Sequence, residues 1–288
     1  MIKCIATDMD GTLLGNDKLI SEENLKAIEI AKSKGVDVII ATGRSLNGAK
    51  YPLEKAGIKL PMIVMNGAQL YDEKGVLHFS INIPNEKVEQ ILGILKSHGL
   101  YFEFYSSLGQ ITLGLEKALQ NYKDYLEKHG MIEKLDEVAE KLKHRFDTLQ
   151  IRTLENFEEV FKDGKTEVYK FIIFSKDKNE LVKVKEELSV IPELVISSSE
   201  HTNIEVNHQD AQKGNALEQY VKLKGYSLEE TMAIGDSYND LSMLKKAGFS
   251  VAMANADDAI KNEVDFVTDS NDKHGFAKAV YKALGINE

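Results

Sequence analysis

Tryptophan is absent from this chain, and its 288 residues include a single cysteine and only four prolines. The lone Cys4 rules out an intrachain disulfide and any cysteine-built metal centre; it reads as a small core residue in a reducing compartment. The seven histidines, His78, His98, His129, His144, His201, His208 and His274, are scattered without metal-ligand spacing. Lysine and arginine are outnumbered, 36 against 46 acidic residues, which leaves a net charge of −10. That balance argues against nucleic acid or an anionic membrane as the main partner, since such binders carry basic faces. An anionic substrate must then find a local positive site. No apolar stretch approaches a membrane span, and the first residues lack a basic, apolar leader pattern. With 43% hydrophobic and 28% charged residues, the expectation is a soluble cytoplasmic enzyme of one large or two ordinary domains.

What is present is an alternation of strand and helix signals. An apolar run from Ile2 to Thr7 ends in Asp8-Met9-Asp10-Gly11-Thr12. Ser21 is placed to cap a helix with Leu25, Ile28 and Ala31 on one face, closed by Gly35. Val36 to Ala41 and Met62 to Met65 predict two more core strands, ending in Thr42-Gly43-Arg44 and Asn66-Gly67. Gln69 to Asp72 and Val76 to Ile81 predict a hairpin. This is βαβ material and implies a parallel sheet. The middle of the chain departs from it. A helix from Asn85 to about His98 is followed by strands at Leu100 to Ser106 and Gln110 to Leu115, then by charged helical stretches at Glu116 to Lys128 and Ile132 to His144. Strands at Glu167 to Phe174, Leu194 to Ser198 and Asn203 to Asn207 flank a helix near Glu180 to Leu188. From Lys213 the first pattern resumes, with a helix stopped at Gly225, strands at Thr231 to Ile234, Phe249 to Met253 and Asp265 to Thr268, and a last helix from Gly275 to about Leu284. The expectation is an α/β core of residues 1–84 and 208–288, interrupted by an inserted α+β domain, 85–207.

Chemistry concentrates at the carboxyl ends of the core strands, where open α/β sheets bind ligands. Asp8 and Asp10, one residue apart, point toward one spot if the strand persists. Two converging anions repel unless a cation or proton lies between them; the plainer alternative is a solvated acidic turn. Gly11 and Thr12 suit a tight turn against a ligand. Gly235-Asp236-Ser237-Tyr238-Asn239-Asp240 is a second acidic turn, and Asp236 is placed to add a third carboxylate, while Asp240 suits a helix N-cap. Oxygen-only ligands without histidine or cysteine select a hard cation, and few carboxylates with waters suit Mg²⁺ better than Ca²⁺. Thr42 and Gly43 offer a hydroxyl and a close backbone N–H to a phosphoryl oxygen. Lys213, poorly placed for a helix dipole at a helix start, can bring a positive charge to the same centre.

Asp8 to Thr12, Thr42 to Arg44, Lys213-Gly214 and Gly235 to Asp240 together resemble the four ordered motifs of the haloacid dehalogenase superfamily. The long insertion between Thr42 and Lys213 is similar to that of its Cof-type branch. The resemblance spans the chain. It implies a Rossmann-like three-layer α/β/α core with a parallel sheet and a large inserted α+β cap of the C2B type. It also implies a Mg²⁺-dependent phosphomonoester hydrolase of small phosphorylated metabolites, sugar phosphates foremost. Asp8 would be the nucleophile of an aspartyl-phosphate, and Asp10 the acid and base, with a pKa nearer neutrality than a free Asp. Asp8, Asp10 (through its carbonyl) and Asp236 would hold Mg²⁺. Met9 (through its N–H), Thr42, Gly43, Lys213 and Asn239 would bind the phosphoryl group, with Thr12 and Asp240 in support. Arg44 and Asn66 lie beyond core strand ends, and His201 and Asn203 lie in a polar cap loop; these four are candidates for contact with the rest of the substrate, although Arg44 also suits a structural ion pair. The rivals are a phosphomutase of the same superfamily and a non-catalytic phosphate-ligand sensor. A mutase needs basic cap residues for a second phosphate, and Arg145 and Arg152 are a thin supply. A sensor has no need of a nucleophile with its acid.

Overall fold

The computed structural model describes residues 1–286 except 115, 118, 121–122, 124–133, 155, 162–163, 176 and 199–201. The chain divides into two compact units, Met1–Ile81 with Asp210–Glu288, and Asn82–Gln209. The first unit begins with β1 (Cys4–Thr7), β2 (Asp37–Ala41), β3 (Met62–Val64), β4 (Gln69–Tyr71) and β5 (Leu77–Ser80). The second carries β6 (Tyr101–Ser106), β7 (Gly109–Thr112), β8 (Arg152–Thr153), β9 (Val168–Phe174), β10 (Leu194–Ser197) and β11 (Asn203–His208). The first unit then resumes with β12 (Thr231–Gly235), β13 (Phe249–Ala252) and β14 (Phe266–Val267).

The sheet of the first unit runs β14-β13-β12-β1-β2-β3-β4-β5. It is parallel from β14 to β3, and the pairs β3–β4 and β4–β5 are antiparallel. This is a Rossmann-like α/β core. Every residue of β1 is fully buried, so both faces of the central strand are covered. On one face Cys4, Ala6, Ile39 and Ala41 pack with Ala216, Leu217, Tyr220 and Val221 of the helix Lys213–Lys224. Burial pushes the Cys4 thiol up, out of its reactive range. Helix ends obey the cap signals: Ser21 accepts from Asn24 N–H at 3.3 Å, and the helix Lys213–Lys224 stops at Gly225 with φ 72°. The helix Leu46–Lys55 has no counterpart in the sequence reading. Gly48 and Pro52 interrupt its pattern, and the Ser45 hydroxyl caps it by accepting from Gly48 N–H at 3.3 Å.

The second unit has a sheet ordered β10-β11-β9-β6-β7-β8, antiparallel except for β7 against β8. Side chains alternate across it. Phe102, Phe104, Phe171, Ile173, Ile204 and Val206 form one apolar face with Val88, Ile91 and Leu95 of the helix Asn85–His98. The opposite face carries buried ion pairs. Lys170 Nζ lies 2.9 Å from Glu205 Oε1, and Arg145, from the helix Leu135–Leu149, donates to both oxygens of Glu103 at 2.6 and 2.7 Å. The expected helix Glu116 to Lys128 falls largely outside the described residues. Among the described residues no helix is long and apolar enough to cross a membrane.

Candidate active site

Parallel pairing brings three strand ends side by side. β1 lies between β2 and β12, with Thr7 opposite both Ile40 and Ile234, so the residues after each strand emerge on one edge. Asp8 N–H donates to the Ile234 carbonyl at 2.9 Å, and Thr42 N–H to that of Ile63 at 2.9 Å. Asp8 and Thr42 are buried at these ends. The chain then turns tightly at Met9 to Thr12. Gly11 adopts φ +78°, and any Cβ there would overlap the Asp236 carboxylate. Only glycine combines that backbone with that approach.

The acidic turns do converge. Carboxylate oxygens of Asp8, Asp236 and Asp240 lie within 4.8 Å of one another. Lys213 Nζ, fully buried, donates to Asp8 Oδ1 at 2.7 Å and to Asp240 Oδ1 at 2.6 Å. Its helix can come this near because Gly214 rests on the Ser242–Met243 backbone, where a Cβ would not fit. Asp240 Oδ2 accepts the Asp236 and Ser237 N–H groups at 3.0 and 2.9 Å. Asp240 is therefore absorbed into organising the turn, in a capping box with Ser237. The Thr12 hydroxyl donates to Asp236 Oδ1 at 2.8 Å.

Electrostatics mark what this cluster lacks. With all three carboxylates ionised, the one ammonium would leave two negative charges uncompensated. Burial, opposed by Lys213 but reinforced by Asp240 and Asp236, pushes the Asp8 carboxyl well above its ordinary range. Burial and the Asp240 charge push Asp236 to about 6. Burial favours a neutral Lys213, yet the Asp240 and Asp8 charges outweigh it and raise its pKa. A divalent cation among oxygen donors would relieve this excess, and the donor set fits a hard ion.

Asp10 behaves differently. Arg44 Nε donates to its Oδ2 at 2.6 Å and Nη2 to its Oδ1 at 2.7 Å, a two-point ion pair, while Lys18 Nζ lies 3.1 Å from Oδ1. Burial pushes its pKa up, but the Arg44 hydrogen bonds and charge, with Lys18, outweigh burial and hold the carboxyl below the ordinary range. A near-neutral value is not what this arrangement provides. Lys18 was invisible in the sequence; it is one lysine in a polar turn, and its left-handed φ of 62° is a property of the fold. Thr42 Oγ1 accepts from Arg44 N–H at 3.2 Å. Asn239 Nδ2 donates to Asn66 Oδ1 at 3.2 Å, so the strand end after β3 joins the same constellation. Asn203 is buried at the start of β11 in the second unit, with its carbonyl accepting from Ser198 Oγ at 2.8 Å. His201 lies outside the described residues.

A family profile described as haloacid dehalogenase-like hydrolase matches residues 5–280. The 5-amino-6-(5-phospho-D-ribitylamino)uracil phosphatase YwtE of Bacillus subtilis is 35% identical over 98% of each chain. A solved haloacid dehalogenase-like hydrolase from B. subtilis is 32% identical, with TM-score 0.84 over 97% of this chain and 99% of that one. The subclass IIB sugar phosphatase BT4131 is 27% identical, with TM-score 0.76 over 99% and 100%.

Proposed function

The chain belongs to the haloacid dehalogenase-like hydrolases as a phosphatase, and from that premise we propose that it hydrolyses small phosphomonoesters with Mg²⁺ through an aspartyl-phosphate on Asp8. The observation that carries this reading is the buried cluster of Asp8, Asp236 and Asp240 around Lys213, whose residual negative charge calls for a divalent cation. The carboxylates of Asp8 and Asp236 and the backbone carbonyl of Asp10 would hold Mg²⁺, which supplies charge neutralisation between nucleophile and phosphoryl group. Asp8 attacks phosphorus through a carboxylate oxygen. Lys213, the Thr42 hydroxyl, the backbone N–H groups of Met9 and Gly43, and the Asn239 amide meet the phosphoryl oxygens as charge builds on them. Lys213 thereby has two tasks, favouring the anionic form of Asp8 against the effect of burial and neutralising the phosphoryl group.

Asp10 gives its proton to the leaving oxygen and later takes one from the attacking water. Held by Arg44 and Lys18 it is an anion, and an acid must carry a proton. The reading therefore requires Asp10 to leave the Arg44 pair once substrate is bound. Arg44 then serves first as the partner of Asp10 rather than as a substrate contact. The second unit, read as the cap, supplies discrimination, since the groups named above meet only the phosphoryl part that all phosphomonoesters share. The relatives act on a ribityl phosphate and on sugar phosphates, and polyol or sugar monophosphates are the favoured class for this chain too. A mutase reading is weakened by Arg145, whose charge is spent on Glu103.

The test is phosphate release from a panel of sugar, polyol, nucleotide and cofactor monophosphates, with Mg²⁺ and with chelator. Release from several members that stops in chelator and in Asp8→Asn is expected. Turnover by Asp8→Asn near the parent rate would refute the aspartyl-phosphate.

A further inference from the structure

Directly after β3 the backbone enters the left-handed region three times in succession, at Met65 (φ 50°), Asn66 (φ 61°) and Gly67 (φ 105°). Only the last is glycine. Residues with a Cβ adopt this conformation at a cost, least so for asparagine, and such strain persists where the surroundings over-determine it. The surroundings here do so. Met65 N–H donates to the Arg44 carbonyl at 2.9 Å and Asn66 N–H to that of Thr42 at 3.0 Å. Gly67 lies so near the Gln212 backbone that a Cβ would overlap it. The strained turn is thus wedged between the Thr42 segment and the residue preceding Lys213, two of the places assigned to the phosphoryl group.

The turn brings the Asn66 side chain against Asn239. Asn66 is buried, and its Oδ1 accepts from Asn239 Nδ2 at 3.2 Å. An amide nitrogen has two hydrogens. With one held by Asn66, the plane of the Asn239 amide is fixed and the second hydrogen has one direction left to it. On the other side of that amide, Asn239 Oδ1 is buried and has no hydrogen-bond partner among the described residues. An unmatched buried acceptor is costly, and the hydrogen bond to the Asn66 carbonyl is a contact that offsets this cost and supports the orientation of the Asn239 amide.

We propose that Asn66 is a positioning residue: its carbonyl, presented by the left-handed turn, aims the Asn239 N–H at the phosphoryl oxygen. This rests on the preceding reading, in which Asn239 donates to that oxygen. Asn66 itself does not touch the phosphoryl group.

The experiment measures inorganic phosphate binding to the full chain in Mg²⁺ buffer, by calorimetry and as the competitive inhibition constant, with the melting temperature alongside. Asn66→Gly keeps the left-handed backbone and removes the carbonyl. Its phosphate affinity should fall about tenfold, as for one weakened hydrogen bond to a charged group, with little change in melting temperature. Asn239→Ala should lose at least as much. The double variant should bind no more weakly than Asn239→Ala alone, because the two act as one unit. Asn66→Asp, which keeps an acceptor and tolerates the turn, should remain sensitive to the further change Asn239→Ala, and this comparison decides the matter if Asn66→Gly folds poorly. Unchanged phosphate affinity in Asn66→Gly, or losses that multiply in the double variant, would overturn the positioning role while leaving Asn239 as a phosphate ligand. Unchanged affinity in Asn239→Ala would overturn both.

Discussion

Replacing Lys213 with methionine tests whether the cluster is held together by charge. The side chain is fully buried, and its ammonium is shared between Asp8 and Asp240 at 2.7 and 2.6 Å. Methionine keeps much of the length and apolar volume, so packing changes little. Two buried carboxylates then face each other without their cation. Breaking a buried ion pair by removing one partner costs about 3–5 kcal/mol, since the remaining charge is neither solvated nor matched. For a unit of this size that corresponds to a melting temperature lower by roughly 6–20 °C. The signature lies in the second substitution. Adding Asp240→Asn removes one of the stranded charges but keeps an oxygen for the Asp236 and Ser237 N–H groups. The double variant should therefore melt above Lys213→Met, although each single change destabilises the parent. Mg²⁺ should recover part of the loss in Lys213→Met, because Asp8 then has another cation. Calorimetric or dichroism melting of the four proteins, in chelator and in Mg²⁺, gives the cycle directly. A single variant within about 2 °C of the parent, or a double variant less stable than Lys213→Met, would refute the argument.

Asp236→Ala should raise the Mg²⁺ concentration for half-maximal activity roughly 100-fold or more, since losing even an outer partner of a metal site costs 10–100-fold; a Mg²⁺ titration with an unchanged midpoint would remove Asp236 from the metal site. Arg145→Met leaves Glu103 buried without its cation and should cost the second unit about 3 kcal/mol, largely recovered by adding Glu103→Gln; denaturant unfolding followed by a probe in that unit would show it. Asp265 accepts from the N–H and hydroxyl of Ser250, both at 2.8 Å, and these bonds hold its pKa below the ordinary value. A carboxyl whose pKa is lowered by folding adds stability that is complete above its unfolded value, about 4, and is lost as pH falls through the lower folded value. The stability gap between the parent and Asp265→Asn should thus be full at pH 6 and shrink below about pH 4, and a gap independent of pH in urea unfolding would contradict the sign.

The strand ends were legible because each one couples a short apolar run to a chemical residue type. Asp8, Thr42 and Asp236 each close such a run, and parallel pairing carries that linear pattern into space without further information. The partner of Asp10 was not legible in that way. Its two-point contact with Arg44 spans 34 positions and depends on how two loops cross, and nothing in the composition of either loop selects it. The helix Leu46–Lys55 was hidden by Gly48 and Pro52, local breakers that tertiary packing overrides. In the second unit the strand Leu100 to Ser106 was legible, but not that Glu103 within it would be fully buried, because its partner Arg145 comes from a helix 42 residues away. Asn66 stood out only as a residue after a strand. Its left-handed turn arises from contacts to Thr42, Arg44 and Gln212 that no local pattern encodes.

The position of β1 between β2 and β12 sets a schedule for folding. The first strand can pair on one side early, but its other neighbour is made only after the whole inserted unit. The contacts that complete the cluster are correspondingly remote, with Lys213 205 positions from Asp8 and Thr12 224 positions from Asp236. Closing such distant contacts is slow, whereas the hairpin β6–β7 closes over a few residues. During synthesis the chain therefore carries Asp8 for most of its length before its partner Lys213 exists, whereas Arg44 and Lys18 reach Asp10 early. A ribosome-bound chain ending near Gln209 carries Asp8 without Lys213, Asp236 and Asp240, and the cluster is completed only with the last segment, Asp210–Glu288.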